Sequence, residues 1–380
     1  MYEWPGSLVR ASALLPLHRG RAPRWLFGRM VKLAKYIAEI IIHEYGVRVL
    51  LTRLSDPWFF QSLSCVLGYD WHSSGTTTVT CRALKEAIEP SKLGVAVAGG
   101  KGRTSRKTPD KIEEFGDVFG FSSFRIDKLK YASKMTAKVD NALIQDGYNI
   151  YHHTFIFDED GDWIVIQQGI NENRGNARRY HWPPDSEAFI DEPQNAILCE
   201  SRLKRVLDLT SSVSRENREV SLDLARESPR RLRKLMVKPV AEHQKTLDGW
   251  TGTRIPSRSL VMPATINWKA MKEIYEFQPK SYEELVSLRG VGPSTVRGLS
   301  LVAELLYGEE ASWRDPVRFS FAFGGKDGVP FPVDRRAMDE ATDLLRTAIQ
   351  STHMKMGQRQ RALKSLRKCV PPIPAERLIS

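Results

Sequence analysis

Apolar residues recur at helical spacing in the first part of the chain, between Ala22 and Leu54. This periodicity predicts one amphipathic helix, whose apolar positions are Met30, Leu33, Ile37, Ile40 and Ile41. Ser55-Asp56-Pro57 is typical of a helix start, because a capping side chain is followed by proline at the first helical position. The Gly/Ser/Thr-rich stretch Leu67–Thr80 predicts a loop.

The middle of the chain predicts a mixture of helix and strand. Leu93–Ala98 is a short apolar run that leads into a glycine-rich basic loop at Gly99–Lys107. A helix is predicted for Arg125–Asp146, since Gly147 follows it as a C-terminal cap would. The alternating segments Tyr151–Phe157 and Asp162–Gln168, joined by an Asp-Glu-Asp-Gly turn, predict a β-hairpin.

The net charge of the chain indicates which class of partner it binds. The 380 residues hold 57 Lys and Arg against 45 Asp and Glu, a formal charge of +12, which favours polyanions such as nucleic acid. The four cysteines have long spacings, so neither a disulfide framework nor a zinc finger is indicated. No apolar stretch approaches the roughly 20 residues that span a bilayer. We therefore expect a cytoplasmic, nucleoid-associated protein without a membrane partner.

Residues 281–308 resemble a helix-hairpin-helix DNA-binding element. Ser281 and Glu284 form a capping box, Gly290-Val291-Gly292 makes a tight hairpin, and Pro293 suits the start of the second helix. Glycines and free amides at a helix start let a backbone approach phosphates without reading sequence. The predicted DNA contacts here are Arg289, Gly290, Val291, Gly292, Ser294, Thr295 and Arg297. The alternative is a plain two-helix corner used for packing or dimerisation.

The resemblance extends along nearly the whole chain. The matching runs are Pro16–His18, Ala22–Phe27, Gly68–Gly75, Ala98–Gly102, Ser105–Pro109, His152–Asp158, Gln167–Gly169, Ala177–Trp182 and Trp313–Pro316. Together they resemble the archaeal and bacterial family called domain of unknown function 763. The first fifteen residues fit the family pattern poorly. The resemblance implies little mechanism beyond a role in DNA handling or repair, which its hairpin element suggests.

A candidate catalytic cluster lies in the predicted β-hairpin. His152, His153, Asp158 and Asp162 are the catalytic candidates, and Asp158, Asp160 and Asp162 could hold Mg²⁺ or Mn²⁺ through oxygen ligands. Successive strand residues face opposite sides, so at most one histidine of the pair faces a given site. Cations that could neutralise phosphates are Lys101, Arg103, Arg106, Lys107, Arg178 and Arg179. The competing interpretation is a solvated turn, in which acidic residues are common.

These observations lead to an α+β protein with three segments. Residues 1–205 are predicted to form a mixed α/β domain with the catalytic candidates, and residues 206–262 a helical segment and linker. Residues 263–380 are predicted to form an all-helical helix-hairpin-helix domain that ends in a basic helix. The predicted function is a metal-dependent nuclease for single-stranded or branched DNA in repair or recombination. The alternatives are a non-catalytic DNA-binding or strand-annealing protein and a scaffold that dimerises through the hairpin helices.

Overall fold

A computed structural model describes most of the chain. The described residues are 24–68, 74–184, 186, 188–199, 202–236, 262–263, 265–317, 319–320, 343–350, 357, 360 and 362–364. Residues 237–261 of the predicted helical segment and linker at 206–262 therefore lie outside the described residues, as does most of the predicted basic C-terminal helix.

Helices precede, interrupt and follow a central group of strands. The α-helices are α1 Arg24–Tyr45, α2 Val47–Ser55, α3 Pro57–Val66, α4 Gly75–Ala87, α5 Pro90–Leu93, α6 Thr108–Val118, α7 Ser123–Lys138, α8 Arg215–Ala225, α9 Pro229–Met236, α10 Trp268–Phe277, α11 Tyr282–Ser287 and α12 Pro293–Val302. The strands are β1 Val95–Lys101, β2 Ile144–Gln145, β3 Asn149–Asp158, β4 Trp163–Asn171, β5 Asn176–Trp182, β6 Ala196–Cys199, β7 Leu207–Asp208 and β8 Phe319–Ser320. The mixed α+β class is confirmed.

The main sheet has six strands in the order β1-β3-β4-β5-β6-β8. Adjacent strands of the sheet are antiparallel along β1-β3-β4-β5-β6. The short β8 pairs with β6 in parallel. The predicted hairpin is confirmed as β3 and β4, with Phe157 opposite Trp163 next to the turn. Because alternate residues face opposite sides, this sheet separates two hydrophobic cores.

Each face of the sheet is covered by helices. On one side, which we call the α7 face, Phe155 and Val165 pack with Leu129 of α7. On the other side, the α4 face, Ile156 and Ile166 pack with α1 to α4. Both faces are therefore buried, which explains why the β3 and β4 strands are apolar on both sides around their centres.

The N-terminal helices differ from the prediction in two respects. The predicted loop Leu67–Thr80 is helical from Gly75, where α4 begins. The single helix predicted for Ala22–Leu54 is two helices. Gly46 has φ +88, a conformation that an α-helix does not contain, so it separates α1 from α2. The predicted start at Asp56-Pro57 is confirmed, since the Asp56 carboxylate accepts a hydrogen bond from the Phe59 amide at 2.6 Å.

Two further secondary-structure elements differ from the prediction in their boundaries. The predicted loop at Gly99–Lys107 is the end of β1 followed by a 3₁₀ helix at Gly102–Lys107. The predicted helix Arg125–Asp146 ends as an α-helix at Lys138, and a π-helical turn, Val139–Leu143, follows. This π turn places Asp140 inside the protein, where it becomes part of a polar network described below.

The C-terminal helices share a core with the sheet. Leu285, Val296 and Leu299 belong to the same hydrophobic cluster as Phe155 of β3. Helical residues 343–350 pack elsewhere, since Leu345 and Ile349 join the cluster of the N-terminal helices. The three predicted segments are therefore in contact through common cores, and their boundaries as separate domains stay a prediction.

A buried ion-pair triad ties the sheet to the segment after α12. Arg178 of β5 donates to Asp146 at 2.8 Å and forms a two-pronged contact with Asp315 at 2.8 and 3.1 Å. Tyr180 also donates to Asp146, at 2.7 Å. The guanidinium has no exposed surface, so its charge depends on these two carboxylates.

We expect Arg178→Ala to lower the free energy of unfolding by about 3–5 kcal/mol, because it leaves two buried carboxylates without their cation. Urea unfolding followed by circular dichroism measures the change. Arg174→Ala is the matched control, since Arg174 is exposed in the turn before the same strand. Equal stability of the two variants would contradict the structural role of the triad.

Candidate functional site

The two helices predicted around the glycine hairpin are present at residues 281–308, which we call the glycine corner. The Ser281 hydroxyl caps α11 by accepting from the Glu284 amide at 3.1 Å. The Glu284 carboxylate in turn accepts from the Lys280 amide at 2.7 Å, one residue earlier than in the predicted capping box. Gly290 has φ +84, and Gly292 is the N-cap of α12.

The start of α12 has no side-chain cap within the described structure and lies beside open space. The first internal hydrogen bond of α12 runs from the Val296 amide to the Gly292 carbonyl, so the amides of Ser294 and Thr295 precede the bonding of the helix. No side chain caps this helix start among the described residues. A Cβ added to Gly292 would meet nothing within 4 Å, which shows open space beside the helix start.

The carbonyl side of the corner is attached to the sheet domain. The Lys138 ammonium at the end of α7 donates to the carbonyls of Val286 at 2.6 Å and Val291 at 3.4 Å, and also to that of Leu288. Burial, and then the nearby Lys134, lower the pKa of Lys138 to about 8. Gln145 adds a fourth contact by donating to the Pro293 carbonyl at 2.9 Å. These contacts fix the orientation of the corner on the sheet domain.

The side chains of the corner divide into exposed and buried sets. Arg289 is exposed and Ser294 is partly exposed, as a phosphate contact requires. Val291 and Thr295 are buried, so they contribute packing and no surface contact. The Arg297 guanidinium lies 5.4 Å from the Trp313 ring centre and 3.5 Å from Gln145 Oε1, and burial lowers the pKa of Arg297.

The carboxylates of the β3–β4 turn organise the turn itself. Asp158 Oδ1 accepts from the amides of Asp160 at 3.1 Å and Asp162 at 2.9 Å. Burial is the main cause that raises the pKa of Asp158, to about 6. Arg48 of α2 donates to Asp162 at 2.6 Å. Asp158 and Asp162 thus already have structural partners.

The predicted cluster occupies two distant ends of one strand. Asp158 lies opposite Val95, whereas His152 lies opposite Lys101. Six residues of strand correspond to about 20 Å. The basic segment at 101–107 therefore lies beside the histidines and far from the carboxylates. Among the described residues, no group of three or more His, Cys, Asp or Glu is arranged to hold a metal ion.

The predicted phosphate-binding cations also separate. Lys101, Arg103, Arg106 and Lys107 are exposed together at the sheet edge. Arg178 and Arg179 are both fully buried, so the expectation that they contact phosphates at the surface does not match their location. Their alternation along β5 sends Arg178 to the triad and Arg179 to the α4 face, where it donates to Gln61 at 3.1 Å.

The two neighbouring histidines belong to different polar clusters, as their alternation predicts. On the α7 face, His153 Nε2 lies 2.8 Å from the Ser133 hydroxyl, and His153 Nδ1 lies 2.9 Å from Gln167 Oε1. Gln167 then donates to Asp140 at 2.6 Å. Burial lowers the pKa of His153 to about 4, so its imidazole is neutral at physiological pH.

Asp140 is the centre of this network and was not predicted. It accepts from Trp182 at 2.9 Å and from Gln194 at 2.5 Å in addition to Gln167. Burial raises the pKa of Asp140 from 3.8 to about 7, although the three donors oppose the shift. The sequence signal is the spacing of Ser133 and Asp140, which are polar residues seven apart on the helix side that also carries Leu129.

On the α4 face, His152 is fully buried at the start of α4. Its Nε2 lies 2.9 Å from the Thr154 hydroxyl, and burial lowers its pKa to about 3. Gln168, opposite His152 on β4, donates to the Ser74 carbonyl at 3.0 Å and to the Tyr151 hydroxyl at 2.8 Å. Residues 69–73 of the matching run Gly68–Gly75 fall outside the described residues.

Comparison with known proteins gives one match. The family model described as "Protein of unknown function (DUF763)" matches residues 11–333, which is most of the chain. The chain belongs to this family. No curated protein and no solved structure matches it. The family assignment agrees with the resemblance found in the sequence, and the match begins within the stretch that fits the pattern poorly. No described helix of this DUF763 chain is long and apolar enough to cross a membrane.

The buried Asp140 of the DUF763 chain predicts a pH dependence. Its raised pKa means that the folded protein keeps the proton between about pH 4 and pH 7, where the unfolded chain has lost it. Its contribution to stability is complete below pH 4 and falls as the pH rises to 7. We expect the stability of the parent relative to Asp140→Asn to fall over this range, by at most about 1.4 kcal/mol per pH unit.

Urea unfolding at several pH values measures this difference. Asp127→Asn, on the exposed side of α7, is the control and should show a difference from the parent that barely changes with pH. Parallel pH profiles for the parent and Asp140→Asn would show that Asp140 does not titrate in this range.

Proposed function

We propose that the protein binds nucleic acid through the phosphate backbone, with the glycine corner as the contact surface. The observation that carries this proposal is the uncapped start of α12, where the partly exposed Ser294 precedes the first internal hydrogen bond and a Cβ on Gly292 would meet open space. The helix dipole adds positive potential at the same place. An anion such as a phosphate oxygen is the complementary ligand.

Charge and rigidity support the same interpretation. Arg289 is exposed next to Gly290, and the chain has a surplus of twelve positive charges. Lys138 and Gln145 hold the opposite side of the corner, so its amides are already oriented before a ligand arrives. Contacts of this kind position a nucleic acid without reading its bases, and the affinity should fall as salt rises. Recognition is therefore independent of sequence.

Of the three predicted functions, the geometry favours nucleic-acid binding without cleavage. Hydrolysis by the hairpin cluster needs carboxylates, histidine and cations around one phosphodiester. Here Asp158 is about 20 Å along the strand from His152 and from the basic segment. The nuclease, the dimer and a nucleoid location stay predictions.

Gly292→Glu should weaken binding of a labelled oligonucleotide at least tenfold, about 1.4 kcal/mol, because a carboxylate would stand where the phosphate binds. Gly292 has φ −140, which any residue adopts, and its surroundings are open, so the fold should not change. Gly290 is a poor choice, since its φ is +84 and a Cβ there would lie 2.9 Å from Asn267 Nδ2. Fluorescence anisotropy at two salt concentrations provides the measurement.

Gly28→Glu is the matched control for charge. Gly28 is exposed on α1, and a Cβ there also meets nothing within 4 Å. Unchanged binding by Gly292→Glu would refute the proposed surface. A parent protein that binds no oligonucleotide even at low salt would instead support the plain two-helix corner.

A cleavage assay distinguishes the predicted nuclease from a protein that binds nucleic acid without cleaving it. We expect a labelled single-stranded oligonucleotide to stay intact with the parent protein and Mn²⁺, because the turn carboxylates and the cations are separated. Mn²⁺-dependent cleavage that is lost in Asp158→Asn and retained in Glu159→Gln would establish the nuclease instead. Glu159 is exposed in the same turn and is not a candidate metal ligand, so it controls for the loss of charge.

A further inference from the structure

We propose that a phosphate group binds on the α4 face of the sheet, between the first turn of α4 and the side chains of His152 and Gln168. This site lies away from the glycine corner, and the proposal does not depend on nucleic-acid binding there. The ligand is inorganic phosphate or a phosphomonoester, which includes the terminal phosphate of a nucleic acid strand.

The first observation is the start of α4, a helix of 13 residues with the sequence Gly75-Thr76-Thr77-Thr78 in its first turn. Its N-cap, Ser74, makes no side-chain capping bond, and the first turn holds no acidic residue. The amides and the helix dipole at this end favour an anion. Gln168 fixes where the end lies, because its amide nitrogen donates to the Ser74 carbonyl at 3.0 Å.

The second observation is independent of the helix and consists of buried polar atoms. Within the described structure, Thr77 Oγ1, His152 Nδ1 and Gln168 Oε1 have no hydrogen-bond partner. All three side chains are at least 99 % buried. Leaving a buried polar atom without a partner is costly, so three of them on this face of the sheet indicate a ligand that supplies the missing bonds.

Sheet register shows that these groups are neighbours. His152 and Gln168 lie directly opposite each other on β3 and β4, and Gln168 lies opposite Arg179 on β5. Thr77 is one helical turn before Cys81, whose thiol interacts with Thr154 on the same face. The first turn of α4 therefore lies over the strand level of His152 and Gln168.

Positive charge lies at the edge of the sheet beside this row of side chains. Lys101, opposite His152 on the edge strand, is exposed, and its ammonium lies 5.5 Å from the Tyr151 ring centre. Arg103, Arg106 and Lys107 are exposed in the helix that follows. Positive charge at the open edge attracts an anion toward the buried end of the row.

The Gln168 carbonyl oxygen should distinguish phosphate from sulfate. The Gln168 carbonyl oxygen only accepts hydrogen bonds, so it needs a ligand that carries a hydroxyl hydrogen. Phosphate is partly protonated near neutral pH, since its relevant pKa is about 6 in a phosphomonoester. Sulfate has no proton to give under these conditions, and its oxygen would oppose the carbonyl oxygen. The site should therefore prefer phosphate by at least tenfold.

Isothermal titration of the full-length protein with inorganic phosphate tests the proposal, with sulfate as the competing anion. We expect saturable phosphate binding that Thr77→Val weakens at least tenfold. Thr78→Val is the control, because the Thr78 hydroxyl already donates to the Gly75 carbonyl at 3.2 Å and is partly exposed. Since the Thr77 hydroxyl has no partner, Thr77→Val should also raise the melting temperature without ligand, a result that a structural role would not give.

The source of the phosphate is determined by competition. A 5′-phosphorylated oligonucleotide and its 5′-hydroxyl counterpart are compared in the Gly292→Glu background, where contact at the corner is removed. Displacement of inorganic phosphate by the 5′-phosphorylated strand alone identifies a strand end, and no displacement by either identifies a small ligand. Both results agree with the proposal, and phosphate binding should be the same with and without Gly292→Glu.

Three results would overturn the proposed phosphate site. One is the absence of phosphate binding together with equal binding of the two oligonucleotides. Another is phosphate affinity that is the same in Thr77→Val and the parent. The third needs no variant: equal affinity for sulfate and phosphate in the parent would show that no acceptor group selects the ligand.

Discussion

The rest of the structure depends on a buried cation that connects distant parts of the chain. Arg178 extends from β5 between Asp146, which follows the π turn after α7, and Asp315, which follows α12. Removing three charges from water is costly, and the arrangement is tolerable only because nearly every lone pair has a donor. Tyr180 donates to Asp146, and the Leu203 and Val317 amides donate to Asp315. The sheet and the segment that carries the glycine corner are thereby held in one arrangement.

Polarity inside the sheet is the second notable property. Most sheet interiors are apolar, because a buried polar group must find a partner. In this protein the α7 face satisfies that requirement through Asp140, whose carboxylate accepts from three neutral donors. The α4 face does not, since His152, Gln168 and Thr77 retain open bonding positions in the described structure. Neighbouring histidines thus have different roles, one in an internal network and the other beside a ligand site.

Much of the local structure could be predicted from the sequence. The hairpin around Gly161, the cap at Asp56 and the corner at Gly290–Gly292 are confirmed, because each depends on contacts within a few residues. The break at Gly46 could not be read from the apolar periodicity, because the helical spacing of apolar residues continues through it. Its φ of +88 nevertheless ends one helix before the next begins. The grouping of His152, His153 and Asp158 into one site was not supported, since closeness in sequence along an extended strand corresponds to distance in space.

The sequence by itself determined the α+β class, the family and the conformation of the glycine corner, because these follow from short-range periodicity, capping and turn chemistry. Only the tertiary structure decided which charges face water. Arg178 and Arg179 resemble Arg103 and Arg106 in the sequence, but packing of helices on both sides of the sheet buries the first pair and leaves the second at its edge. The physical reason is that exposure is set by what packs over a residue, and those covering helices come from positions far away in the chain.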